Sequence, residues 1–227
     1  MPTHYPPLPS DAQQPLLSPK QCLWLLVRIC LYVLLYMAYN HGIFWDASRH
    51  TDLHWKFSEW SFTEFSQSVI LLLATVGLLY IRRKFNIFPV GTLVMASFTF
   101  VSLIRENDYW TDMVLLHAWM VAVWGIIVLA LVYAYKHRKA FLDEMRLYFT
   151  TLPFGLFVGG FLTTYVYSRL FGRAILWETS LAGHYIRTAK DMGEECTESI
   201  GYLLILLSVI ELYFFARRLS AYYRDRA

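Results

Sequence analysis

The sequence predicts an all-α protein, a bundle of six membrane-spanning helices with both termini in the cytoplasm. Three observations carry that expectation. Of the 227 residues, 57% are hydrophobic and only 16% charged, at a mean hydropathy of +0.40, too apolar for an ordinary soluble domain. Six apolar runs of 17 to 23 residues divide the chain. At about 1.5 Å per helical residue, each spans a hydrocarbon core of roughly 30 Å. Finally, the lysines and arginines between the runs fall unequally on two sides, as the rule of positive inner loops requires.

The runs cover residues 22–39, 65–81, 87–104, 113–135, 152–170 and 200–216. Residues 1–20 precede them as a proline-bearing tail with no apolar periodicity, which reads as disordered and not as a cleavable leader. The first run contains Arg28, whose long stem can carry its charge to the nearer interface. Its tyrosine stripe, Tyr32, Tyr36 and Tyr39, reads as packing. The third run opens at Pro89, a residue suited to a first helical turn. In the fifth, Gly155, Gly159 and Gly160 give a spacing that lets another helix approach closely, within the bundle or in a homo- or hetero-oligomer. A transmembrane domain over 21–218 is followed by a basic tail, 219–227.

With six spans, one side of the membrane holds twelve basic residues, from Lys20 through Arg82–Lys84 and Lys136–Arg146 to Arg226, and the other at most seven. The first side is therefore expected to be cytoplasmic. Most acidic residues near a boundary then fall outside. The net charge of +3 is small and scattered, with no basic footprint for nucleic acid. Cys22, Cys30 and Cys196 suggest no disulfide framework. Eight tryptophans, sixteen tyrosines and sixteen phenylalanines suit aromatic belts at two interfaces.

The candidate site centres on Ile104–His117, where an arginine, three carboxylates and a histidine lie between two apolar runs. Charges there cost free energy unless paired, solvated or functional. Helical spacing places Glu64, Gln67, Ser68 and Thr75 on one stripe of the second span, and Thr99, Ser102 and Glu106 on one stripe of the third. If the last helix extends outward past its apolar run, Asp191, Glu194, Glu195, Glu198 and Tyr202 form another. Turned inward, these stripes make a carboxylate-lined pocket with one histidine.

Such a set points to a divalent metal, zinc, iron or manganese, with Glu64, Glu106, His117, Glu195 and Glu198 as ligands. Asp108 or Glu194 would act as general base on a metal-activated water. Arg105 and Asp112 would bind substrate, Arg105 by orienting an anionic headgroup. Arg105 is also placed to pair with Glu106, Asp108 or Glu198. The expected activity is hydrolase-type, on a membrane lipid or lipid-linked substrate. A proton- or cation-coupled transporter and a non-enzymatic subunit or assembly factor are the alternatives. Alkaline-ceramidase-type membrane hydrolases carry a paired His-x-x-x-His in the last span. Here Glu194, Glu195 and Glu198 stand instead, so the chain does not fit that pattern. Glu64, Arg105-Glu106-x-Asp108 and Glu194-Glu195 together resemble an arrangement in small bacterial membrane proteins. That likeness implies an inner-membrane location and no particular activity.

Overall fold

The structure, a computed structural model, describes residues 17–49, 61–109, 112 and 118–224. It is all helical, with no strand among the described residues. The helices are α1 (Pro19–Ser48), α2 (Phe62–Phe85), α3 (Pro89–Glu106), α4 (Ala118–Lys136), α5 (Arg138–Tyr148) and α6 (Leu152–Phe161). A π-helical stretch, Leu162–Tyr167, continues α6 into α7 (Ser168–Phe171). Then come α8 (Ala174–Leu181) and the long α9 (Arg187–Arg224).

Among these, α1, α2, α4 and α9 are long and apolar enough to cross a membrane. A fifth span results if α5 and the segment 152–171, bent by 99° to each other, count as one. This is compatible with an integral membrane protein. The 18-residue α3, which ends on Arg105 and Glu106, falls outside that set. Two boundaries differ from the sequence reading. Pro19 and Lys20, expected in a disordered tail, open α1, while residues 1–16 of that tail lie outside the described residues. The loop expected between the fourth and fifth spans is the amphipathic helix α5.

Local chemistry explains where the helices begin. Ser18 and Gln21 form a reciprocal capping box around the Pro19 start of α1. Ser61 accepts the Glu64 N–H at the start of α2. Asp46, 1% exposed, caps the same helix from α1, accepting N–H bonds from Phe62 and Thr63 at 2.9 and 2.7 Å. The start of α3 at Pro89 is gripped by Glu144 of α5, which accepts from the N–H groups of Val90 and Gly91. Phe88, just before it, sits at φ 55°, a left-handed conformation unusual for a bulky side chain. Its ring, stacked on Phe215 and edge-on to Tyr148, is buried in compensation.

α9 is the axis of the bundle. At about 1.5 Å per residue its 38 residues run about 57 Å, well beyond a hydrocarbon core. It packs on α2, α6 and the π-helical stretch, and α3 packs on α2 and α4. Leu71, Leu78, Ile205 and Leu212, each 0% exposed, fill the middle. The approach of α6 to α9 is glycine-to-glycine. A Cβ on Gly201 would lie 2.0 Å from Thr164 Oγ1, and one on Gly160 would lie 2.7 Å from the Gly201 carbonyl. Of the three fifth-span glycines, Gly160 thus works within the chain, while Gly155 and Gly159 face open space.

α1 lies at the edge, with most of its apolar surface exposed. Polar contacts hold it. Arg28 does not reach for an interface; it forms a two-pronged ion pair with Glu211 of α9 at 2.7 and 3.0 Å, and Tyr32 donates to the same carboxylate at 2.6 Å. Tyr36 donates to the Ile200 carbonyl, and Tyr39 shares a hydrogen bond with Ser66. The tyrosine stripe is packing, as its spacing implied.

The glycine contact gives a direct prediction. Gly201→Ala should lower unfolding stability in detergent by about 1–3 kcal/mol, because the added methyl meets helix backbone and a threonine hydroxyl. Gly159→Ala should stay within about 0.5 kcal/mol of wild type. Equal effects at the two positions would contradict the packing described.

Candidate functional site

Polar residues of α2, α3, the 162–171 segment and α9 meet at one end of the bundle, each for a local reason. On α3 the 3/4 spacing puts Thr99 and Ser102 on the buried face, and one turn later Glu106 ends it. On α9 the stripe continues inward from Glu194 and Glu195 to Glu198 and Tyr202, the last two 3% and 0% exposed. α9 begins at Arg187, so the helix does extend outward past its apolar run. In the fifth segment the π-helical stretch changes the register after Phe161, and Ser168 and Arg169 come to face α9. Such wide turns are frequent at functional sites.

The network has three linked parts. In the first, Arg105 donates to Glu106 at 2.6 Å and to the Tyr202 hydroxyl at 3.0 Å. Tyr202 in turn donates to Glu106 at 2.6 Å. The Arg105 guanidinium lies over the Tyr165 ring, whose hydroxyl hydrogen-bonds Ser102. In the second part, Glu198 receives Arg169 at 2.9 Å and Ser168 at 3.2 Å, and its other oxygen lies 3.9 Å from Arg105. Arg169 also reaches Glu194 at 2.6 Å, which Lys190 holds from its own helix at 2.7 Å. In the third, Gln67 of α2, 0% exposed, donates through its amide to the carboxylate of Glu195 at 3.1 Å, to the Glu195 carbonyl and to Ser199.

Glu195 differs from its neighbours. Arginine or lysine holds Glu106, Glu194 and Glu198, but among the described residues Glu195 has no cationic partner. It feels instead the charges of Glu198, Glu64 and Glu106. Gln67 Oε1, in the same amide group, has no hydrogen-bond partner among the described residues.

The expected site residues therefore separate. Glu106, Glu194, Glu195, Glu198 and Arg105 belong to one network. Glu64, in the first turn of α2, lies close enough to Glu195 for charge repulsion. Asp108 and Asp112 lie half-buried beyond α3. Loss of solvation lifts the Asp108 carboxyl above its ordinary range, and Asp112 and Glu106 add repulsion against the favourable Tyr109 N–H. Glu194, by contrast, has both of its oxygens facing cations, Arg169 and Lys190. His117 lies outside the described residues. No group of three or more His, Cys, Asp or Glu able to hold a metal ion occurs among the described residues.

Three participants escaped the sequence reading of the site. They are Arg169, Ser168 and Tyr165, which lie in or at the end of the apolar run 152–170 and on none of the polar stripes. The π-helical register that turns Arg169 toward Glu198 has no sequence mark. Gln67 and Tyr202 were on the predicted stripes. No protein-family model, curated protein or solved structure matches the chain.

The first part of the network yields a test. Tyr202→Phe removes a buried donor and leaves Glu106 and Arg105 each short of one bond. It should cost about 1–3 kcal/mol of unfolding stability. Tyr167→Phe, with its ring exposed against Phe171, should cost less than about 0.5 kcal/mol. A neutral Tyr202→Phe would show that this hydroxyl is not part of the site.

Proposed function

We propose that the protein is a six-span integral membrane protein, both termini cytoplasmic, whose outer-end network binds the headgroup of a lipid or lipid-linked substrate for hydrolase-type chemistry. The observation that carries this reading is the convergence of three chain segments, α3, 162–171 and α9, on the Arg105–Glu106–Tyr202 cluster and the Arg169–Glu198 pair at one end of an apolar bundle. Desolvating that many charges is expensive, and a bundle needing only stability would use apolar side chains there. In this reading Asp108 is the proton acceptor. Arg169, half exposed and bridging Glu194 and Glu198, is the group a headgroup phosphate meets first. The fully buried Leu71, Leu78, Ile205 and Leu212 lie below the network, which favours a closed site over a transport path.

A second reading keeps the divalent metal. It is favoured by Glu195, which has no cationic partner among the described residues and with Glu64 and His117 would offer zinc, iron or manganese two carboxylates and an imidazole. Glu106 and Glu198, already held by arginines, would contribute less.

Native mass spectrometry of the protein released from membranes separates the readings. Wild type is expected to retain lipid, and Arg169→Gln is expected to lose at least half of it. Elemental analysis of the same samples should find a stoichiometric metal, lost in Glu64→Gln, if the second reading holds. Wild type without retained lipid would overturn the lipid site.

A further inference from the structure

At the end of the bundle away from the network, α5 keeps two different faces. Helical spacing sets Arg138, Leu142, Arg146 and Phe149 on the side opposite Glu144 and Tyr148. The latter two are each 4% exposed, whereas Leu142 and Phe149 are more than half exposed. The buried side is fixed to the fold: Glu144 accepts the Val90 and Gly91 N–H groups, and Tyr148 packs edge-on to Phe88 and Phe154. On the exposed side Arg138, Lys139 and Arg146 stand against one carboxylate, Asp143, which pairs with Arg146 at 3.6 Å. That side is therefore both apolar and positively charged.

The second, independent observation is the angle. α5 is bent by 99° from the segment 152–171. At about 1.5 Å per residue that segment measures about 30 Å, the thickness of a hydrocarbon core, and it packs along α9 through Gly160 and Gly201. A helix perpendicular to it runs along the membrane surface. A path into the membrane and back is excluded by Arg138, Lys139, Asp143 and Arg146, all exposed within eleven residues, because each charge costs free energy in hydrocarbon.

We infer that α5 is a membrane-surface helix that binds anionic phospholipid headgroups of the leaflet at that end. Arg138, Lys139 and Arg146 meet the phosphates, while Leu142 and Phe149 enter the acyl boundary. Arg83, Lys84 and Arg217, exposed at the same end, add to the attracting field. Through Glu144, lipid held by α5 also steadies the start of α3, the helix that ends on Arg105 and Glu106. The inference rests on the spanning arrangement of the bundle and not on the chemistry of the outer network.

The full-length protein is placed in nanodiscs of phosphatidylcholine, alone or with an equal share of phosphatidylglycerol, and its thermal midpoint and retained lipids are measured. Phosphatidylglycerol should be enriched about fivefold or more, the factor that one basic residue near an anionic surface supplies, and should raise the midpoint. The triple variant Arg138→Gln, Lys139→Gln, Arg146→Gln should lose most of both effects. The charge-matched variant Arg83→Gln, Lys84→Gln, Arg217→Gln should lose less than half. Equal losses assign the effect to the charge of that end as a whole and overturn a lipid site on α5. Inorganic phosphate that raises the midpoint as far in phosphatidylcholine alone overturns it in favour of a soluble anion. Placement is read separately from nitroxides attached at Leu142→Cys and at Val128→Cys of α4, with Cys22, Cys30 and Cys196 replaced by serine. Collision with oxygen and with a water-soluble nickel complex should put the first at the headgroup boundary and the second deep among acyl chains. A Leu142 label in bulk water overturns the surface helix alone. A Val128 label in water overturns the spanning arrangement beneath it.

Discussion

The close approach of Gly160 to Gly201 is the constraint on which the site depends. With no Cβ on either residue, α6 lies against α9 at backbone distance, and Thr164 donates to the Glu198 carbonyl. Without a hydrophobic driving force between helices in a bilayer, this close packing is a main source of helix association. It also sets the register of the residues C-terminal to it. Two turns beyond Gly160, Ser168 and Arg169 reach Glu198, and the network at that end closes only because they do.

A second organising principle is local satisfaction of charge. The bundle carries buried carboxylates at both ends, and each has a different solution. Asp46 and Glu144 accept backbone N–H groups at the starts of α2 and α3, using the positive end of the helix dipole. Glu211 takes Arg28 and Tyr32 and so fastens the peripheral α1. Glu106, Glu194 and Glu198 take arginine or lysine. Against that pattern Glu195 is the exception, with the Gln67 amide and no cation as its partner among the described residues.

Much of this was legible in the sequence because it depends on spacing. The stripes through Gln67 and Thr75, through Thr99 and Ser102, and through Glu198 and Tyr202 follow from 3.6 residues per turn, and those residues are buried together. The outward extension of the last helix was legible as a condition and holds. What spacing could not show is pairing between distant segments. Arg28 and Glu211 lie 183 positions apart, so an isolated arginine in an apolar run reads as one that must escape. Arg169 sits in a run whose register shifts at the π-helical stretch, which moves it away from the face a regular helix predicts. The fourth contributor to the network is that segment. The one expected, the start of the fourth span with His117, lies outside the described residues.

The Arg169–Glu198 pair joins the 162–171 segment and α9 into one site, and the headgroup reading of that end of the bundle requires it. A double-mutant cycle on unfolding free energy, with Arg169→Gln, Glu198→Gln and the double variant, tests the pair most directly. A coupling energy of at least about 1 kcal/mol is expected, because either single change leaves a charged partner behind. Effects that add within about 0.3 kcal/mol would contradict it.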